Sequence, residues 1–312
     1  MIIINLNHKV LRATLTLLLI TLGSVSAPFA DYITFTVEQN RTLVPVTIGN
    51  SRTLSIILDT GMILDGLLIY NPSLIDSISL PEAIPVRVPG AGGGPPSEGF
   101  MTDSAAYSID TTVLTNQRII MLSSGPLSGF NSDGVLGHSI FGHFRVSLNY
   151  DHNLLRLFPP DSIQVDSTWV SIPLYFKSNT IPWMDIMVAI DDQDPVPISV
   201  YIDLASGDAI ELLDKPGMKY KLPEVTKEAY LGTGLSGDIY GHRGVVSEVR
   251  IGPFTLTDVS AAIAPAHIRS KQPGADAIIG NDLLRRFNII FDYQKRQLYI
   301  KPNQFFGKSF YG

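Results

Sequence analysis

Asp59 and Asp203 stand at matching places in this chain. Asp59 follows the apolar run Ile56-Ile57-Leu58 and opens Asp59-Thr60-Gly61. Asp203 follows Val200-Tyr201-Ile202 and opens Asp203-Leu204-Ala205-Ser206-Gly207. If the two strand ends meet, the carboxylates come within hydrogen-bond distance. Like charges that close cannot both ionise easily, so one proton is shared. The ionised member can then take a proton from water while the neutral member hydrogen-bonds to a carbonyl oxygen. That chemistry hydrolyses amides without a metal ion or a covalent intermediate.

The elements that must position these carboxylates recur along the chain. Leu43 to Ile48 and Leu54 to Leu58 read as two strands around Gly49-Asn50-Ser51-Arg52, ending at Asp59; Met184 to Ile190 and Ile198 to Ile202 do the same around Asp191 to Pro197, ending at Asp203. Each Asp is followed 78 or 77 residues later by a Gly that closes an apolar run, Val135-Leu136-Gly137 and Ile278-Ile279-Gly280. A short helix comes next, then a strand ending in Tyr150 or Tyr293. The strand's period-two pattern puts Phe144, Val146, Leu148 and Tyr150 on one face and Arg145, Ser147 and Asn149 on the other. A Gly-rich stretch lies between each Asp and its Gly, Gly90 to Gly94 and Gly232 to Gly237. Landmarks that keep an offset of 143 or 144 residues argue for internal duplication. Two lobes are predicted, residues 31–160 and 161–312, divided near Pro159 to Thr168.

Composition narrows the classes. The 312 residues are 45% hydrophobic and 17% charged, which excludes disorder. A net charge of −6 gives no electrostatic reason to expect nucleic acid. With Cys 0 there is no disulfide, thiolate metal site or cysteine nucleophile. Gly 26 and Pro 21 fit a turn-rich β protein. Residues 1–30 read as a signal peptide: Lys9 and Arg12 precede the apolar run Ala13 to Gly23, and small residues follow at Val25-Ser26-Ala27. The run is short against the roughly 20 apolar residues of a spanning helix. No stable membrane span is therefore expected after cleavage, and the location should be periplasmic or extracellular. Without Lys9 and Arg12 the mature charge is −8.

The motif Asp59-Thr60-Gly61 with its later Val135-Leu136-Gly137, repeated as Asp203 with Ile278-Ile279-Gly280, resembles the lobes of pepsin-like and retropepsin-like aspartic proteases, especially bacterial two-lobed aspartyl protease domains. The resemblance covers about residues 40–302. It implies a mostly β fold of two duplicated acid-protease-like β-barrel lobes with a cleft between them. It implies Asp59 and Asp203 as the catalytic pair, Thr60, Gly61 and Ser206 as supporting loop residues, no cofactor, no metal, and a peptide or protein substrate. Because one chain supplies both lobes, a monomer suffices. The second motif departs from the family's Asp-Thr/Ser-Gly. Leu204 has no hydroxyl to bond across the lobes, and Ala205 adds a methyl group where the family has glycine. A secreted or periplasmic binding protein that keeps the fold without the chemistry is the rival reading.

Other features read more plainly. Gly92, Gly93 and Gly94 are candidates for the flap over the cleft, with a plain surface loop as the alternative; a phosphate cradle lacks its Gly-Lys-Ser/Thr. Asp208 competes with Asp203 but breaks the offset. His138 and His143 have no third ligand at a telling spacing. Trp169 and Trp183 are expected to pack between the lobes.

Overall fold

The computed structural model describes residues 32–125, 127, 131–162, 164–177, 180–270 and 272–310. The leader proposed for residues 1–30 lies outside them. About 51% of the described residues are strand and 6% helix, arranged as two barrel-like lobes.

Each lobe closes a ring of six strands. In the first, Arg41–Thr47 pairs with Leu54–Leu58, which runs parallel to Gly134–Leu136. Leu67–Ile69 then joins Gly134–Leu136 to Thr112–Leu122, and Ser97–Ile109 returns to the start through Val46 opposite Ile109. The second ring repeats this order with Trp183–Ala189, Val196–Asp203, Ala277–Gly280, Ile210–Asp214, Phe254–Pro265 and Gly237–Ile251, closed by Val188 opposite Val249. Closure leaves the ring strands no free edge.

Inward residues such as Val46, Ile56, Leu58, Leu67 and Ile69 fill the first barrel. Their neighbours Leu68 and Tyr70 point the other way, into a second apolar layer with Val88, Ile120, Leu122 and Leu127. Strands apolar on both faces read as continuous runs rather than as an alternation.

The lobes are joined by a six-stranded sheet at whose centre Arg145–Asn149 pairs with Phe287–Asp292. Val146 faces Phe291, Ser147 faces Ile290 and Leu148 faces Ile289. Ser147 meets its own repeat-mate, Ile290, while Val146 and Leu148 each meet the other's mate, so a local twofold passes between Ser147 and Ile290. Arg145, on the face expected to be polar, is buried; its guanidinium bonds Asp292 of the other lobe, with Nε 2.8 Å from Oδ2. Trp183 does not bridge the lobes. It packs inside the second one, with Ile181, Tyr201, Ala275 and Ile278.

Candidate active site

The two Asp loops sit where strands change direction above the apolar-apolar-Gly strands. The amide of Asp59 donates to Leu136 O (2.9 Å), and that of Asn281 to Ser206 O (2.8 Å). The glycines ending those strands touch the loops directly. A Cβ on Gly137 would lie 3.0 Å from Asp59 O, and one on Gly280 would lie 2.8 Å from Ser206 Oγ. This contact explains why an apolar pair ends in glycine in both lobes.

Gly61 brings the carboxylates together. Its N–H donates to Asp59 Oδ1 at 2.8 Å. On its other side, a Cβ would be 2.6 Å from Asp203 Cγ and 2.8 and 2.9 Å from the two carboxylate oxygens. One glycine therefore holds Asp59 and bears on Asp203. Asp203 Oδ1 accepts from the amides of Ala205 (3.0 Å) and Ser206 (3.2 Å). Thr60 reaches across the lobes: its hydroxyl donates to Ile202 O (2.8 Å) and accepts from Leu204 N (3.1 Å). Leu204 is fully buried in the core and returns no such bond from its side chain. The clamp has one arm. Ser206 turns its hydroxyl away from Asp203 to Glu211.

Glu211 and Arg269 join the site without having been anticipated from the sequence. Arg269, on the short helix Ala266–Arg269, bonds Glu211 through Nε and again through Nη2, which lies 2.7 Å from Oε1. The same Nη2 lies 3.5 Å from Asp203 Oδ2. Glu211 opposes Ile278 in the ladder just as Leu68 opposes Val135 in the first lobe, so an ion occupies an apolar position of the repeat. The available signal was a lone Glu inside Ala209-Ile210-Glu211-Leu212-Leu213. A carboxylate in such a run requires a cation.

Burial pushes the Asp59 carboxyl up to about 8, and the Asp203 charge adds to the rise. Burial also raises Asp203, opposed by Arg269 and reinforced by Glu211. For Glu211 burial works against the charge, but Arg269 and Ser206 outweigh it and hold the carboxyl below its ordinary range. Asp208 lies apart, paired with Arg243 at 2.5 Å.

The Gly-rich stretches are the tips of two hairpins that meet. Gly94 N donates to Ser236 O (2.6 Å), Ser236 N to Ala91 O (2.8 Å) and Ser97 Oγ to Leu235 O (2.7 Å). Gly92 N donates to Ile268 O (3.0 Å), next to Arg269. Leu235 packs on the first lobe's layer of Leu68, Val88 and Leu122. Of the three candidate flap glycines, Gly92 and Gly94 lie against Ser236, while Gly93 has open space around it. Gly92 has φ +111, and a Cβ there would be 2.5 Å from Ser236 C. We therefore expect Gly92→Ala to loosen the junction, raising hydrogen exchange at the Ser236 and Gly94 amides about tenfold, since a left-handed alanine costs roughly 1–2 kcal/mol. Exchange measured by mass spectrometry on the two tip peptides checks this.

Residues 211–283 match the family model described as Aspartyl protease, which supports an aspartyl-protease-like domain. The matched segment runs from Glu211 through the second hairpin and Arg269 to the helix after Gly280; Asp59 and Asp203 lie outside it. No curated protein matches the chain. Among the described residues no helix is long and apolar enough to cross a membrane.

Proposed function

We propose that this protein is an aspartic-type endopeptidase acting on peptide or protein substrates through Asp59 and Asp203. The observation that carries the reading is Gly61, whose N–H holds one carboxylate and whose Cα bears on the other. In this mechanism a water between the carboxylates attacks the scissile carbonyl carbon. Its proton passes to the ionised Asp, while the neutral Asp gives its proton to the carbonyl oxygen. The resulting gem-diol collapses: the first Asp protonates the leaving nitrogen, and the second takes back a proton from a hydroxyl as the C–N bond breaks. The pair ends as it began, and water has been added across the amide.

The reaction needs one proton on the pair. Activity should fall as pH rises through about 8, where Asp59 loses its proton. It should also fall at acid pH, as the ionised partner becomes protonated, and the resulting bell belongs to the pair. The test is a broad peptide library incubated with the mature chain from about pH 3 to 9, a range spanning ordinary and raised carboxylates. Cleavage that resists chelators and serine or cysteine reagents supports the proposal. The one-armed clamp, with Leu204 in place of a hydroxyl residue, favours a second reading: a binding protein that holds peptides without cutting them. No cleavage anywhere in the range, together with retained peptide binding, would establish that reading instead.

A further inference from the structure

We propose that Arg269, tethered by Glu211, decides the division of labour within the pair: Asp203 carries the charge and acts as the base toward water, and Asp59 carries the proton and acts as the acid toward the carbonyl oxygen. This rests on the peptidase reading and adds a positioning residue to it.

The pair is symmetric about the local twofold, but its surroundings are not. The only guanidinium shown bonded to either Asp carboxylate, among the described residues, belongs to the second lobe and lies 3.5 Å from Asp203 Oδ2. Backbone amides favour the charge on both carboxylates, those of Ala205 and Ser206 on Asp203 and those of Gly61 and Met62 on Asp59. What sets a negative charge on Asp203 apart is the full cation in contact with it.

The first lobe has no counterpart to Glu211, because Leu68 stands at the equivalent place. Without Glu211 an arginine here would face only the pair, and one cation between two carboxylates would favour ionising both. Glu211, its side chain 3% exposed and bonded twice by Arg269, absorbs most of that charge. Three carboxylates, one guanidinium and one proton leave a single net negative charge, which the reaction requires.

The other charged and titratable groups around the pair do not undo the bias. Tyr201 lies on Asp203's own strand and bonds Ser270. Asp208 is held by Arg243, and Arg41 donates through Nε to Ala205 O. Tyr70 and Tyr293 are near Asp59, and both are phenols whose ionisation burial suppresses. Gly92 of the first hairpin bonds Ile268 O, so closure of the hairpins also clamps the residue preceding Arg269.

Two substitutions should act in opposite directions. Arg269→Gln removes the cation from Asp203, so the acid limb of the pH–rate profile should move up by about one pH unit or more. Glu211→Gln removes a repelling charge and leaves Arg269 to Asp203, so the acid limb should move down. Arg269→Lys should restore part of the first shift. A purely structural role would lower the rate without moving the limb. The same variants should be titrated by carbonyl-carbon NMR with labelled aspartate, assigned through Asp59→Asn and Asp203→Asn. This readout is independent of turnover. Opposite shifts of the Asp203 resonance in a protein that cleaves nothing would sustain the charge assignment and sink the peptidase reading. Cleavage with an unmoved limb and unmoved resonances would sink the assignment alone. Should Arg269→Gln not fold, the double variant Arg269→Gln/Glu211→Gln leaves no lone ion; its Asp203 must still titrate above wild type, and an unchanged titration overturns the proposal.

Discussion

Replacing Asp203 by Asn is expected to lower kcat/KM by about 10³-fold or more, and Asp59→Asn by a similar factor, with the fold retained in both. An amide can hydrogen-bond but can neither accept a proton from water nor donate one to a carbonyl, and acid–base catalysis of this kind contributes roughly 10²–10⁴-fold. Side-chain shape is almost unchanged, so Gly61 N–H still finds an oxygen at position 59. Circular dichroism and thermal melts separate lost chemistry from lost structure. If Asp203→Asn keeps wild-type turnover while Asp59→Asn does not, the two-lobe pair is wrong. Stability adds a second readout. Asp59 has a folded-state pKa raised to about 8, so its protonated form favours the fold. That contribution is fully present below the unfolded value of about 4 and is lost as pH rises to about 8. The wild-type melting temperature should therefore fall between about pH 5 and 8.5 by more than that of Asp59→Asn, which has no proton to lose there.

Gly61→Ala is the second large effect, expected to cost about 10²-fold in kcat with much less change in KM. The added methyl group would lie 2.6 Å from Asp203 Cγ, and the neighbour is a carboxylate held by two amides and an arginine rather than a free side chain. Something must shift by several tenths of an ångström. Misplacing a reacting group by about 1 Å can cost 10²-fold. Ala205→Gly is the matching control in the other loop, since the chain already tolerates a methyl group there and removing it introduces no overlap. Steady-state kinetics on one good substrate from the library compares the two. Equal, small effects would mean that the close approach at Gly61 is not part of the catalytic geometry.

The paired framework is legible in the sequence itself. Asp59 and Asp203 each end an apolar run, and each is followed at nearly the same interval by an apolar run closing in glycine. Such spacing is local information: a strand must be apolar to lie between two layers, and Gly137 and Gly280 must lack a side chain because a loop rests on them. The two barrels follow from that duplication, as does the central sheet in which Val146 meets Phe291 and Leu148 meets Ile289. The loss of one clamp arm is also readable, from Leu204 in place of a hydroxyl residue.

The charges around the pair are not legible in the same way. Glu211 and Arg269 are 58 residues apart and follow no repeat, and the first-lobe counterpart of Glu211 is the apolar Leu68. Arg145 reads as a solvent-facing residue because a period-two pattern cannot tell water from a second lobe carrying Asp292. The meeting of Ala91 with Ser236 depends on the lengths and twists of two hairpins, which no short motif encodes. Sequence determined the strands, the duplication and the two aspartates, because those depend on neighbours along the chain. Only the tertiary structure decided which ions face which carboxylate, because Coulomb interactions act through space and the folded chain sets those distances.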